Sequence, residues 1–441
     1  MKKIVNKISI YAVAALSAAV CFTACQDDPD RFRLTDGKPT VYYVRPVKAS
    51  AADSLLTSAY MGNSVCLVGE NLTSVYKLLF NDQEAVLNNS YITRNTLLVD
   101  VPSEIPGMVT NKMYLITRGA DTVKVDFSVL VPGPSITAMK NEHAAPGSVT
   151  TLYGDFFVDD PNVPLSISVG DIPARIKSFS KGTIDFEVPA AAAAGSPIKV
   201  KTIYGEAKSA FFYKDTRGLL FNFDTDPHPG NHGWHAQKIE TDDTALDGNF
   251  LRLGDPGVTM NAEGGWNDSN FSFEYWPGNW GDPETYEGGE RLTDFADFSD
   301  WKNMALKFEL FVPSSNPWSA GAMQLIVGGV EKISYGAAGA KDLDGKTLAG
   351  CNNTYFNNDE LPRGLYSPWT ASGSFDTADE WVTVTVPYAN FSYGFSGGAA
   401  TGSLNAEDFT SLTIFVVEGG VTGTECQPVI KIDNIRAVPL K

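Results

Sequence analysis

At 441 residues the chain exceeds one ordinary domain, and its 40 Gly, 25 Pro and 20% charged residues exclude a protein built on long helices. The net charge of −18 sits entirely in one half: residues 1–213 set 20 Lys+Arg against 20 Asp+Glu, whereas residues 214–441 set 14 against 32. Such a field repels phosphate and uronate, which excludes nucleic acid and acidic polymers as partners of the second half and leaves neutral ligands.

In chain order, the first element is an address. Lys2, Lys3 and Lys7 precede an Ala-rich apolar run, Ile8 to Val20, too short to span a bilayer and readable as a signal peptide over residues 1–24. Phe22-Thr23-Ala24-Cys25 then resembles a lipobox, with Cys25 as the lipidated residue; Cys21 fits less well because Val20 precedes it. Gln26-Asp27-Asp28-Pro29-Asp30 resembles the acidic export signal that sends Bacteroidota lipoproteins to the outer face of the outer membrane. The expected location is therefore the outer membrane, lipid-anchored and exposed at the cell surface, with residues 25–39 as a flexible tether. A plain secretory signal is the alternative. Cys66, inside Val65-Cys66-Leu67-Val68, reads as a buried strand thiol, and Cys351 and Cys426 are free to pair or not.

Residues 40–132 and 133–213 read as two copies of one unit. Gly62-Asn63-Ser64-Val65 and Gly69-Glu70-Asn71 answer to Gly147-Ser148-Val149 and Gly154-Asp155. Thr96 to Pro102 answers to Thr183 to Pro189, and Tyr114 to Gly119 answers to Lys199 to Gly205. Ile184, Phe186 and Val188 alternate with Asp185 and Glu187 as in a half-buried strand, and Pro102 and Pro189 end their strands because Pro cannot donate to a ladder. Short strands at this density predict a sandwich. Both copies resemble IPT/TIG Ig-like domains, which implies either a rigid spacer or a protein-contact module.

Residues 214–441 continue the strand pattern, from Leu219-Leu220-Phe221 through Leu306 to Val312 and Val382 to Val386 to a last strand around Ile430, Ile432 and Ile435. First and last elements that are both strands, with large loops between, predict a jelly-roll-type β-sandwich, so the chain as a whole is read as all-β. All eight Trp lie here, between 234 and 381. Trp234, Trp266, Trp276, Trp280, Trp318 and Trp369 each stand among Gly, Pro, Asn or Ser, residues of irregular loops, and Tyr275 and Tyr366 stand beside them. Sugar rings pack their C–H faces on aromatic rings while their hydroxyls seek carboxylates and amides, so these eight aromatics are the candidate glycan-binding residues. Trp301 reads as core, and Trp381 is open between core and site.

Catalytic readings find less support. Gly394-Phe395-Ser396-Gly397-Gly398 fits G-x-S-x-G, yet the last His of the chain is His235, upstream of it, and no helix can follow so Gly-rich a run. No catalytic residue is assigned. His228, His232 and His235 with Asp224 and Asp226 form no recognisable metal motif, and no cofactor is expected beyond a structural calcium that Asp224 and Asp433 could share.

The strand Leu306 to Pro313 after Asp300-Trp301, Pro317-Trp318-Ser319-Ala320-Gly321, Trp381 to Pro387 and the terminal Ile432-Asp433-Asn434-Ile435 resemble the distal domain of surface glycan-binding proteins of Bacteroidota polysaccharide-utilisation systems. The layout of lipoprotein signal, tandem Ig-like domains and distal β-sandwich is similar as well. This resemblance implies non-catalytic capture of a neutral plant polysaccharide, a β-glucan or hemicellulose such as xyloglucan or mixed-linkage glucan, and its delivery to a TonB-dependent importer. The rivals are a surface glycoside hydrolase or lyase on a jelly roll and a protein-binding adhesin.

Overall fold

The computed structural model describes residues 32–51, 53–224, 238–275, 290–328 and 359–440. Strands dominate these residues, and the helices are single turns such as Asp268–Phe271 and Leu292–Phe295. None of these helices is long and apolar enough to cross a membrane. The all-β expectation is met. The chain forms two compact units that meet at Pro132 and Gly133.

The first unit holds an Ig-like sandwich. Thr40–Pro46, Ser64–Glu70 and Thr96–Asp100 make one antiparallel sheet, and Val75–Phe80 pairs with Gln83–Ala85 and Lys112–Thr117 in the other. Alternation turns Val65, Leu67, Leu97 and Val99 inward from the first sheet and Leu78, Phe80, Met113 and Leu115 from the second. Each such fully buried side chain contributes about 1.5–3 kcal/mol through the water it sheds. Cys66 is buried, as its strand position predicts, and burial pushes its thiol pKa up.

Residues 133–213, at the start of the second unit, repeat the plan. Ser135–Met139, Val149–Asp155 and Thr183–Glu187 lie in the same order as their counterparts. The spacing seen in the sequence has a physical cause. In both copies the first strand bulges, between Val41 and Tyr43 and between Ile136 and Ala138. The partner residue at that point is glycine: a Cβ on Gly69 would stand 1.9 Å from Thr40 O, and one on Gly154 would stand 1.9 Å from Ser135 O. The strand ends match too, with Gly62 N–H donating to Val101 O at 2.9 Å and Gly147 N–H to Val188 O at 2.8 Å.

The rest of the second unit is a two-sheet sandwich. One antiparallel sheet runs Ile239–Glu240, Phe250–Leu253, Ile430–Pro439, Met304–Phe311, Val382–Pro387, with Leu219–Phe221 also paired to the last strand. The other runs Ser272–Tyr275, Leu412–Val417, Ala322–Ile326, Gly364–Tyr366. Leu306, Phe308, Leu310, Met323, Leu325, Ile414, Val416, Ile430 and Ile432 fill the space between them.

A buried ionic cluster joins the second Ig-like copy to this sandwich. Glu142 Oε1 accepts from Lys307 Nζ at 2.5 Å, and Glu142 Oε2 accepts from Arg436 at 2.9 Å. Arg436 also donates to Glu309 Oε2 at 2.8 Å, and all four residues are buried. Burial opposes the charge on Arg436, but the carboxylates of Glu309 and Glu142 hold the guanidinium ionised, above its ordinary range. Main-chain bonds complete the seam: Thr383 N–H donates to Lys140 O at 2.7 Å, and Glu142 N–H donates to Thr383 Oγ1 at 2.8 Å. Two acids and two bases cancel, so the seam tolerates burial only while all four are present.

Candidate functional site

The inner and outer faces of the four-stranded sheet differ in kind. Phe273 and Tyr275 stack edge-on against Phe221 of the opposing sheet, at 5.3 and 5.0 Å between centroids, so their row faces the core. The residues between them in register, Ser272, Glu274, Phe415, Thr413 and Gln324, therefore face outward. On that outer face Trp266, half-buried, meets Phe415 edge-on at 4.9 Å and Phe395 at 6.2 Å. Gln324 donates to Phe395 O at 3.1 Å and accepts from Arg363 at 2.7 Å. Of this set only the Trp266 ring is partly exposed; Phe415, Gln324, Arg363 and Glu274 are buried, so the face offers a ligand one aromatic surface held by a buried polar network.

One end of this sheet gathers the chain termini of two undescribed segments. Tyr275, which precedes residues 276–289, pairs with Leu412, and its hydroxyl donates to Glu290 O at 2.7 Å. Thr410 N–H donates to Val327 O at 3.0 Å, and Ser411 Oγ to Gly328 O at 3.2 Å, so Gly328, which precedes residues 329–358, lies beside the same turn. Their far end, Asp359, accepts from Ser396 next to Phe395. Residues 276–289 carry Trp276 and Trp280.

The candidate aromatics separate into three groups. Trp234, Trp276 and Trp280 lie outside the described residues, as do Cys25, Cys351, Asp226, His228, His232 and His235. Trp266 and Tyr366 are partly exposed. Trp318, Trp369 and Tyr275 are corrections, since all three are buried in the core and offer no ring face to a ligand. Trp318 donates its indole N–H to Ala320 O at 2.6 Å and Trp369 to Gly321 O at 2.8 Å. The glycines beside them serve close packing: a Cβ on Gly423 would stand 2.9 Å from the Trp369 ring. Trp381 also belongs to the core, against Phe250 and Phe311, with its N–H donated to Thr244 O. Trp301, read as core, is half-buried against it.

Tyr366 is separate from Trp266. Its ring points between the sheets toward Phe308 and Trp318, and burial pushes its pKa up to about 12. Its outer edge borders a groove of about 360 Å³ along the sandwich side, with Thr385, Pro387, Asn390 and Tyr393. Tyr393, which the sequence reading passed over, is well exposed there. Nothing local marked it, because it stands in a Ser- and Gly-rich run with no neighbouring Trp. Cys426 is a free thiol.

Residues 213–439 match the family described as surface glycan-binding protein B, xyloglucan binding domain. The chain belongs to that family. It is 48% identical to the surface glycan-binding protein PbSGBP-B from Prevotella bryantii, whose crystal structure matches with a TM-score of 0.83 over 92% of this chain and 100% of that one. An IPT/TIG domain-containing protein of Bacteroides ovatus is 30% identical over 148 residues, 32% of this chain and 29% of that protein's length. This second likeness agrees with the Ig-like reading of the tandem copies. The family and the Prevotella protein are both described as surface glycan-binding.

Proposed function

We propose that this surface glycan-binding protein captures a neutral plant β-glucan of the xyloglucan class at the outer face of the outer membrane and hands it on uncut. The observation that carries the reading is the match of residues 213–439, the half with all eight Trp and all the excess negative charge, to a xyloglucan-binding domain. The partly exposed Trp266 on the outer face of the four-stranded sheet, packed against Phe415 and Phe395, supports it. Trp276 and Trp280, which follow Tyr275 in the sequence, are the further aromatics this reading assigns to the glycan. Affinity comes from ring stacking and hydroxyl hydrogen bonds, and no acid pair is engaged in cleavage.

In this reading Cys25 carries the lipid anchor, the first Ig-like copy spaces the binding sandwich from the membrane, and the partner that receives the glycan is a TonB-dependent importer. The test is native electrophoresis of the protein through gels containing xyloglucan, mixed-linkage β-glucan, galactomannan, xylan, laminarin or pectin. Xyloglucan should retard the protein most and pectin not at all. Retardation by pectin alone, or by none of these, would overturn the proposal.

A further inference from the structure

Asp433 lies in the central strand Ile430–Pro439 with none of its surface exposed. Its Oδ1 accepts the Asn434 N–H at 2.7 Å, while its Oδ2 has no hydrogen-bond partner. Asn434 is buried beside it, with a left-handed backbone (φ 50°) and an unpartnered Nδ2. A carboxylate oxygen buried without a donor is costly, and folded proteins nearly always satisfy such an atom. Its surroundings increase the cost. After burial itself, the carboxylates of Asp247, Glu309 and Asp224 all disfavour its ionised form.

The balance of charge among those groups is uneven. Glu309 is matched by Arg436 at 2.8 Å, and Asp247 has Lys214 at 3.8 Å. His143, also buried against Asp247 and Glu309, is held neutral by burial. Asp224 accepts the Asn249 main-chain N–H, and among the described residues neither it nor Asp433 makes an ion pair. The backbone is shaped to admit Asp224: a Cβ on Gly248 would stand 2.1 Å from Asp224 Oδ1. Two carboxylates, one of them fully buried with an open oxygen, thus lie close enough for the charge of one to oppose that of the other, with no cation paired to either among the described residues.

We propose that Asp433 and Asp224 bind one Ca²⁺, with main-chain or amide carbonyl oxygens and water completing its shell. Among the described residues no three His, Cys, Asp or Glu side chains form a metal-holding group. Ca²⁺ suits such a pair, because it accepts carboxylates mixed with carbonyl oxygens. The ion ties the strand Leu219–Phe221 to the turn at Gly248 and to the central strand. It also fixes Asp224, the residue after which the segment carrying Trp234 begins.

Calcium titration of the EGTA-treated full chain by calorimetry, with thermal unfolding in parallel, tests this. The expected result is one Ca²⁺ per chain at about 1 mM or below, a higher melting temperature with Ca²⁺, and no comparable effect of Mg²⁺. Asp224→Asn, on an exposed side chain, should weaken binding at least tenfold. Asp433→Asn should abolish it and, without Ca²⁺, melt no lower than the EGTA-treated parent, because it removes a buried charge. A melting temperature indifferent to Ca²⁺, or binding that survives both substitutions as diffuse attraction to an acidic surface, would overturn the proposal.

Discussion

The two Ig-like copies share a fold and differ in what they are fastened to. Gly69 and Gly154 perform the same task beside the same bulge, and the strand ends at Val101 and Val188 close with the same bonds. At the register where the first copy has Thr57-Ser58-Ala59, the second has Glu142-His143-Ala144. Ala59 and Ala144 are both buried, so the sandwich itself is conserved there. Glu142, however, reaches Lys307 and Arg436 of the glycan-binding sandwich. One repeat thus remains a unit of its own while the other is fastened to the binding sandwich, through Glu142 and the main-chain bonds at Lys140 and Thr383.

The largest effect expected from breaking this contrast comes from Glu142→Ala. It leaves Lys307 and Arg436 buried with one carboxylate between them, at a cost of about 3–5 kcal/mol by chemical denaturation of the second unit. Separating residues 214–441 from the second copy removes Glu142 in the same way, so that fragment should be much less stable than residues 133–441. Thr57→Ala, at the matching site of the first copy, should cost less than about 1 kcal/mol.

Gly154→Ala and Gly69→Ala sharpen the comparison from the other side. Each places a Cβ at 1.9 Å from a main-chain carbonyl, and on Gly154 also at 2.4 Å from the Phe157 ring, so each should destabilise its own unit by about 2–4 kcal/mol, with Gly154→Ala toward the upper end. A large difference between the two would show that the copies are not equivalent at the bulge.

A smaller effect is expected from pH. Burial and then Arg436 lower the His143 pKa to about 3. An unfolded His titrates near 6.5, so the neutral buried form is at no disadvantage above that pH. As pH falls from about 6.5 toward 3, the unfolded chain gains a proton that the folded one refuses, and stability declines by up to about 1.4 kcal/mol per unit. Denaturation at pH 7 and pH 5 should differ less in His143→Leu than in the parent. Equal differences would place His143 outside the titration. The smallest change should follow removal of the first copy, which is expected to leave glycan affinity unaltered.

Much of this was legible in the sequence for local reasons. The offset between copies was visible because Gly and Pro mark backbone constraints directly, and the alternation of Val382, Val384 and Val386 reported a half-buried strand. Trp318 and Trp369 misled for a related reason: Gly and Ser beside an indole mark either an exposed loop or a place where backbone packs closely on a ring. Local sequence does not separate the two. The seam at Glu142 was invisible because its partner Arg436 lies 294 residues away and neither residue belongs to a periodic pattern.

The most direct test of glycan capture mixes the protein with xyloglucan and follows two quantities in the same sample, the bound fraction and the length of the polysaccharide. Saturable binding with unchanged chain length, abolished by Trp276→Ala with Trp280→Ala in a protein that melts normally, is the result this account predicts. Shortened xyloglucan, or full affinity in that double variant, would contradict it.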